Sequence, residues 1–104
     1  MIVATRLRVP EPGADAWRTC AEDLMTLFAT LPGFVGGHLC RAPDEPELWL
    51  LVTHWAGVGA YRRALSSYDV KMTAPAVMAH AVPEPSAFEV LATATGVGAG
   101  AAHR

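Results

Sequence analysis

Leu48-Trp49-Leu50-Leu51-Val52-Thr53-His54-Trp55 is the longest apolar, β-branched run in the chain, and the fold follows from taking it as the central strand. In a strand successive side chains point to opposite faces. Trp49, Leu51, Thr53 and Trp55 then share one face, and Leu48, Leu50, Val52 and His54 share the other. Both faces are mostly apolar, whereas a sheet with one wet face shows a polar residue at every second position. Helices are therefore expected on one side and a second copy of the chain on the other.

At 104 residues the sequence describes one domain, with 52% hydrophobic and 17% charged residues. That balance excludes a disordered chain and leaves more apolar surface than a small core hides. A net charge of −2 argues against nucleic acid and anionic membrane as partners. With no leader and no apolar run of the ~20 residues a membrane span needs, the expectation is a soluble cytoplasmic protein. Cys20 and Cys40 stand in no metal-ligand spacing and read as two buried, reduced thiols. No metal or cofactor is expected.

Outward from the central run, Ile2–Val9 alternates as a strand with Val3, Thr5, Leu7 and Val9 on one face. Asp15 is a plausible N-cap for a helix whose apolar stripe is Trp17, Cys20, Leu24, Leu27, Phe28 and Leu31, stopped by Pro32-Gly33. Phe34–Arg41 reads as a second strand, in which Gly36-Gly37 marks a bulge or a close approach. The acidic turn Ala42–Glu47 joins it to the central strand as a hairpin. A second helix is predicted over Val58–Tyr68, burying Val58, Tyr61, Leu65 and Tyr68. Val70–Val82 follows as a short helix with Pro75 in its first turn, and Ser86–Thr95 alternates as a last strand. Residues 1–95 form the domain, and the Gly/Ala-rich residues 96–104 are expected to be a flexible tail.

The order strand, helix, strand, strand, helix, strand is the ferredoxin-like α+β arrangement, an antiparallel four-stranded sheet with helices on one face. Its bare face is a natural dimer surface.

No phosphate loop or nucleophile elbow is present. Trp55 at a strand end and Tyr61 six residues later can converge on one pocket mouth, offering an indole N–H and a phenol O–H on large apolar bodies. Such a pair suits a planar aromatic ligand carrying a developing oxyanion. Core aromatics with satisfied polar tips fit the same residues equally well. Phe34, Leu51, Met72 and Met78 are candidate apolar walls and Thr5 a further substrate-binding residue. His38 is a candidate base, since imidazole titrates near neutrality, while His54 faces away from Trp55.

Leu31-Pro32-Gly33-Phe34-Val35-Gly36, Leu50 to Trp55, Ala60-Tyr61-Arg62 and Phe88-Glu89-Val90 together resemble the antibiotic biosynthesis monooxygenase family over about residues 2 to 94. The resemblance implies a dimeric α+β barrel with a cavity in each protomer. It also implies a small tailoring enzyme, a cofactor-independent monooxygenase acting on an aromatic, polyketide-like molecule, with Trp55 and Tyr61 contacting it. Anthrone oxygenases of the family carry an Asn where this chain has Leu51 and an Arg where it has Pro75. Haem-degrading relatives use a His at about Thr73 and an Asn near Thr5, and this chain has neither. A redox-neutral cyclase or isomerase, and a non-catalytic dimeric domain that binds a hydrophobic ligand, are the alternatives.

Overall fold

The computed structural model describes residues 1–97. The predicted tail lies largely beyond them. The elements are β1 (Ile2–Arg8), α1 (Ala14–Phe28), β2 (Phe34–Arg41), β3 (Leu48–Trp55), α2 (Val58–Leu65), α3 (Tyr68–Met78) and β4 (Ala87–Phe88). The strands form one antiparallel sheet in the order β2-β3-β1-β4, the ferredoxin-like α+β topology. β3 is central and alternates as read from the sequence, with Trp49, Leu51, Thr53 and Trp55 buried and the intervening residues half-exposed. Val3, Thr5 and Leu7 of β1 face the same way and meet Trp17, Leu24 and Phe28 of α1, with Val70 and Val77 of α3. Each fully buried Val or Leu in this layer contributes roughly 1.5–3 kcal/mol. Trp17 stacks edge-on against Trp49 at 5.1 Å, and its indole Nε1 donates to the carbonyl of Val77, fixing α1 against α3.

Several boundaries differ from the sequence expectation. Helix α1 is capped by Gly13 in the left-handed region (φ 88°) rather than by Asp15, which sits in the first turn, where a carboxylate complements the helix dipole. The predicted helix Val58–Tyr68 ends at Leu65, and the chain restarts at Tyr68 after a Ser66-Ser67 turn. The buried face of α2 is Ala60 and Ala64, while Val58, Leu65 and Tyr68 are exposed. Gly33 explains this inversion: in the left-handed region (φ 85°), it packs so tightly on α2 that a Cβ there would lie 2.3 Å from the Cβ of Ala60. Only a small residue on α2 permits that approach.

Pro75 is inside α3, at its eighth residue, not in the first turn. It is exposed, so the Lys71 carbonyl that loses its helical partner is open to water. The last strand shrinks from Ser86–Thr95 to Ala87–Phe88, because Phe88 pairs with Ile2 at the very end of β1 and the chain beyond has no strand beside it. The Gly36-Gly37 signal resolves into both of its readings. Val35 is the extra residue of a bulge, and Gly37 lies where a Cβ would come 2.8 Å from the Val52 carbonyl oxygen. Cys20 is half-buried and Cys40 exposed, so the expectation of two buried thiols fails for Cys40, which points to the uncovered face of the sheet. No helix among the described residues is long and apolar enough to cross a membrane.

Candidate functional site

Between the sheet and the helices lies a cavity of about 180 Å³. Its floor is Val3 and Thr5 of β1 with Leu51 and Thr53 of β3, four inward positions brought side by side by the β1–β3 register. Phe28, Tyr61, Leu65, Ala74 and Met78 from the three helices close it above. Its rim is the segment 81–86, which runs along β1 as an irregular edge. Leu7 bridges Ala81 and Val3 pairs with Ala87, two registers that differ by two residues, so the stretch between them bows outward around Pro83 and Pro85. Neither proline can donate to β1. The segment is held to β1 by backbone bonds on either side of the bow, from the Val82 N–H to the Arg6 carbonyl at 2.8 Å and from the Ala4 N–H to the Ser86 carbonyl at 2.7 Å. At its middle it is held by Glu84, whose carboxylate accepts two hydrogen bonds from Arg6, Nε at 2.9 Å and Nη2 at 2.6 Å. That paired guanidinium lowers the Glu84 pKa below the usual carboxylate value.

The polar groups of the cavity are mostly hydroxyls. Burial raises the Tyr61 phenol above its ordinary value, so it remains a protonated donor at neutral pH. Neither that phenol nor the Thr5 hydroxyl has a hydrogen-bond partner among the described residues, although Thr5 is only 7% exposed. The Thr53 hydroxyl accepts the indole N–H of Trp55 at 2.9 Å and keeps its own proton to give. A site of this kind binds an oxygen acceptor through neutral donors. A cavity of about 150 Å³ holds one benzene, and ligand pockets commonly run to roughly 300–1,000 Å³. One ring with substituents, or two fused rings, fits without movement of the rim.

Of the residues singled out from the sequence, Thr5, Leu51, Tyr61 and Met78 meet at this cavity. Trp55 lies beside it on the same face of the sheet, 2% exposed, its ring boxed by Phe28 at 5.3 Å, Phe34 at 5.2 Å and Tyr61 at 5.6 Å. Its N–H is engaged by Thr53 rather than presented to a ligand. Phe34 therefore supports Trp55 and lines no part of the cavity. Met72 is 65% exposed and contributes no wall. The structure does not bring His38 to the cavity: the bulge turns Gly37 inward, leaving His38 exposed and paired with Val52 on the opposite face. The sequence reading missed Thr53 and Glu84. The signal for Thr53 was its place as the one polar residue on the Trp49–Trp55 face, and Glu84 carried no signal, because its role depends on the bow between two prolines. Among the described residues no cluster of three or more His, Cys, Asp or Glu side chains is placed to hold a metal ion.

Comparison with known proteins places this architecture. The fold matches SnoaB, a cofactor-independent oxygenase from Streptomyces nogalater, with a TM-score of 0.78 and 26% identity over 88% of this chain and 93% of that one. A conserved protein from Methanosarcina mazei shares the fold, with a TM-score of 0.71 and 14% identity over 80% of this chain and 82% of that one. No curated protein matches the sequence. A family model described as antibiotic biosynthesis monooxygenase matches residues 1–76, most of the sheet and all but the end of the helical layer. The chain belongs to the antibiotic biosynthesis monooxygenase family.

Proposed function

We propose that this protein is a cofactor-independent monooxygenase of small, hydroxylated aromatic or polyketide-like molecules, working as a homodimer in the cytoplasm. The observation that carries the reading is an apolar cavity whose polar side chains are the hydroxyls of Tyr61, Thr5, Thr53 and Ser86, with the single carboxylate of Glu84 at its rim. The likeness to a cofactor-independent oxygenase supports it.

In such a reaction the substrate supplies most of the reactivity. A CH₂ made acidic by a phenolic ring, as in an anthrone or in the keto tautomer of a naphthol, loses a proton to give a delocalised anion, which passes an electron to O₂. Recombination forms the carbon–oxygen bond, and loss of water from the resulting hydroperoxide leaves a carbonyl. The sum is CH₂ plus O₂ giving C=O plus H₂O. The protein's share is to desolvate the substrate, orient it and stabilise the anionic oxygen, for which neutral donors in a dry site are effective. The Glu84 carboxylate, held by Arg6, is a weak base, so the acidity of the substrate governs the proton loss.

The half-exposed face of the sheet, with Leu48, Leu50, Val52 and His54 on β3 beside Ile2 and Ala4 of β1, is the proposed dimer surface. A redox-neutral cyclase or isomerase would use the same donors. Leu51, at the position where anthrone oxygenases carry an Asn, favours keeping that second reading.

Oxygen consumption by the purified, metal-free protein, with dithranol and with a hydroxynaphthalene, tests the proposal. Enzyme-dependent uptake is expected with at least one of them. Conversion at an unchanged rate without oxygen would establish the cyclase reading, and no conversion of either would leave a ligand-binding dimer.

A further inference from the structure

Trp55 cannot reach a ligand without dismantling its surroundings. Three aromatic rings pack within 5.6 Å of its centroid, it is not among the residues that line the cavity, and its only donor is already on Thr53 Oγ1. Turning the indole toward the cavity would break that bond. Thr53, by contrast, lines the cavity directly. With one lone pair occupied by the indole N–H, its own O–H is the group left to donate, and accepting a hydrogen bond polarises a hydroxyl into a stronger donor.

We infer that Thr53 is the residue that donates to the ligand's oxygen, with Thr5 and Tyr61 as flanking donors, and that Trp55 is a positioning residue acting through it. The ligand class that fits is a one- or two-ring phenol or enol bound through its oxygen, given the neutral hydroxyls of Thr5, Thr53, Tyr61 and Ser86 and about 180 Å³ of space. This rests on the cavity being the substrate site, and it sets what touches the substrate there.

1-Naphthol is the probe, because its bound ionisation is visible by absorbance and fluorescence and requires no turnover. A donor to the oxygen makes bound naphthol more acidic, which a purely structural threonine would not do. Thr53→Val, nearly isosteric, is expected to bind naphtholate about tenfold more weakly, as for a lost hydrogen bond to a charged group, and to raise the pKa of the bound naphthol. Thr53→Ser is expected to restore both within about twofold, which separates donation from a folding defect. Trp55→Phe should weaken binding in the wild-type background and have no further effect in Thr53→Val, the non-additivity of residues acting in series. Equal losses from Trp55→Phe in both backgrounds, wild-type binding by Thr53→Val, or no naphthol binding by the wild type would overturn the inference. Thr53-dependent binding without oxygen uptake would sink the oxygenase reading and leave this one standing.

Discussion

Gly33 and Ala60 meet so closely that a Cβ on the glycine would fall 2.3 Å from that of the alanine. The contact seats α2 on the turn before β2 and so fixes where Tyr61, the next residue, enters the cavity. Gly33→Ala is expected to destabilise by about 3 kcal/mol, from the left-handed backbone and the overlap together. Ala60→Gly in the same chain should recover part of it. Urea unfolding measures both, and a single variant within about 0.5 kcal/mol of wild type would contradict the packing account.

Tyr61→Phe removes a phenol with no hydrogen-bond partner among the described residues, so stability should change by less than about 1 kcal/mol while turnover drops roughly tenfold or more. Steady-state oxygen uptake beside thermal melting separates the two effects. Because burial raises the phenol above its ordinary value, activity that depends on its proton should be lost only at higher pH than for an ordinary phenol. A loss near pH 8 would assign the titration to another group.

The Arg6–Glu84 pair gives the rim a specific acid response. The Glu84 value is depressed in the folded protein, so the contact is fully present above 4.5 and weakens as the pH falls through its lowered value. The association rate of 1-naphthol should be flat from neutral pH down to 4.5 and rise below it. Glu84→Gln should give the faster rate at every pH. A midpoint above pH 6 in the wild type would rule out this pair as the latch. Both side chains are partly exposed, so added salt should also loosen it.

Leu51→Ala enlarges the cavity floor and should cost about 2–4 kcal/mol of stability. The gain in room should shift preference from a two-ring naphthol toward the three-ring dithranol. Competitive binding of the two ligands measures this, and an unchanged ratio would show that the rim, rather than the floor, limits ligand size.

Val52 is central in the open sheet face, opposite His38 and Ala4. Under the proposed dimer, Val52→Lys should convert it to a monomer in sedimentation velocity with secondary structure intact. A wild type that already sediments as a monomer would remove the dimer from the proposal.

β3 was legible because Leu48–Trp55 is the longest continuous apolar, β-branched run in the chain. Helix α2 was not, since its contact is made by Ala60 and Ala64, which weigh little in any hydrophobic pattern yet allow the closest approach. The short β4 depends on where β1 begins, a fact about a partner strand that residues 86–95 do not carry. Tyr61, Thr5, Leu51 and Met78, all singled out from the sequence, line the cavity. Trp55 was misplaced because a large aromatic at a strand end suits a cavity wall and the layer behind it equally well, and only the Thr53 bond tells them apart.

Neighbouring residues on β1 serve opposite sides of the sheet: Thr5 offers its hydroxyl to the cavity, while Arg6, pointing the other way, grips the bowed rim through Glu84. Chemistry and access are thus written in one dipeptide and separated only by the pleat. Inserting or deleting one residue ahead of Thr5 would swing a guanidinium into the dry chamber and release the rim in the same stroke. Natural variation in this strand should therefore proceed by substitution, with the length between Met1 and Leu7 held constant, while residues 82 to 86 are free to lengthen and retune what enters.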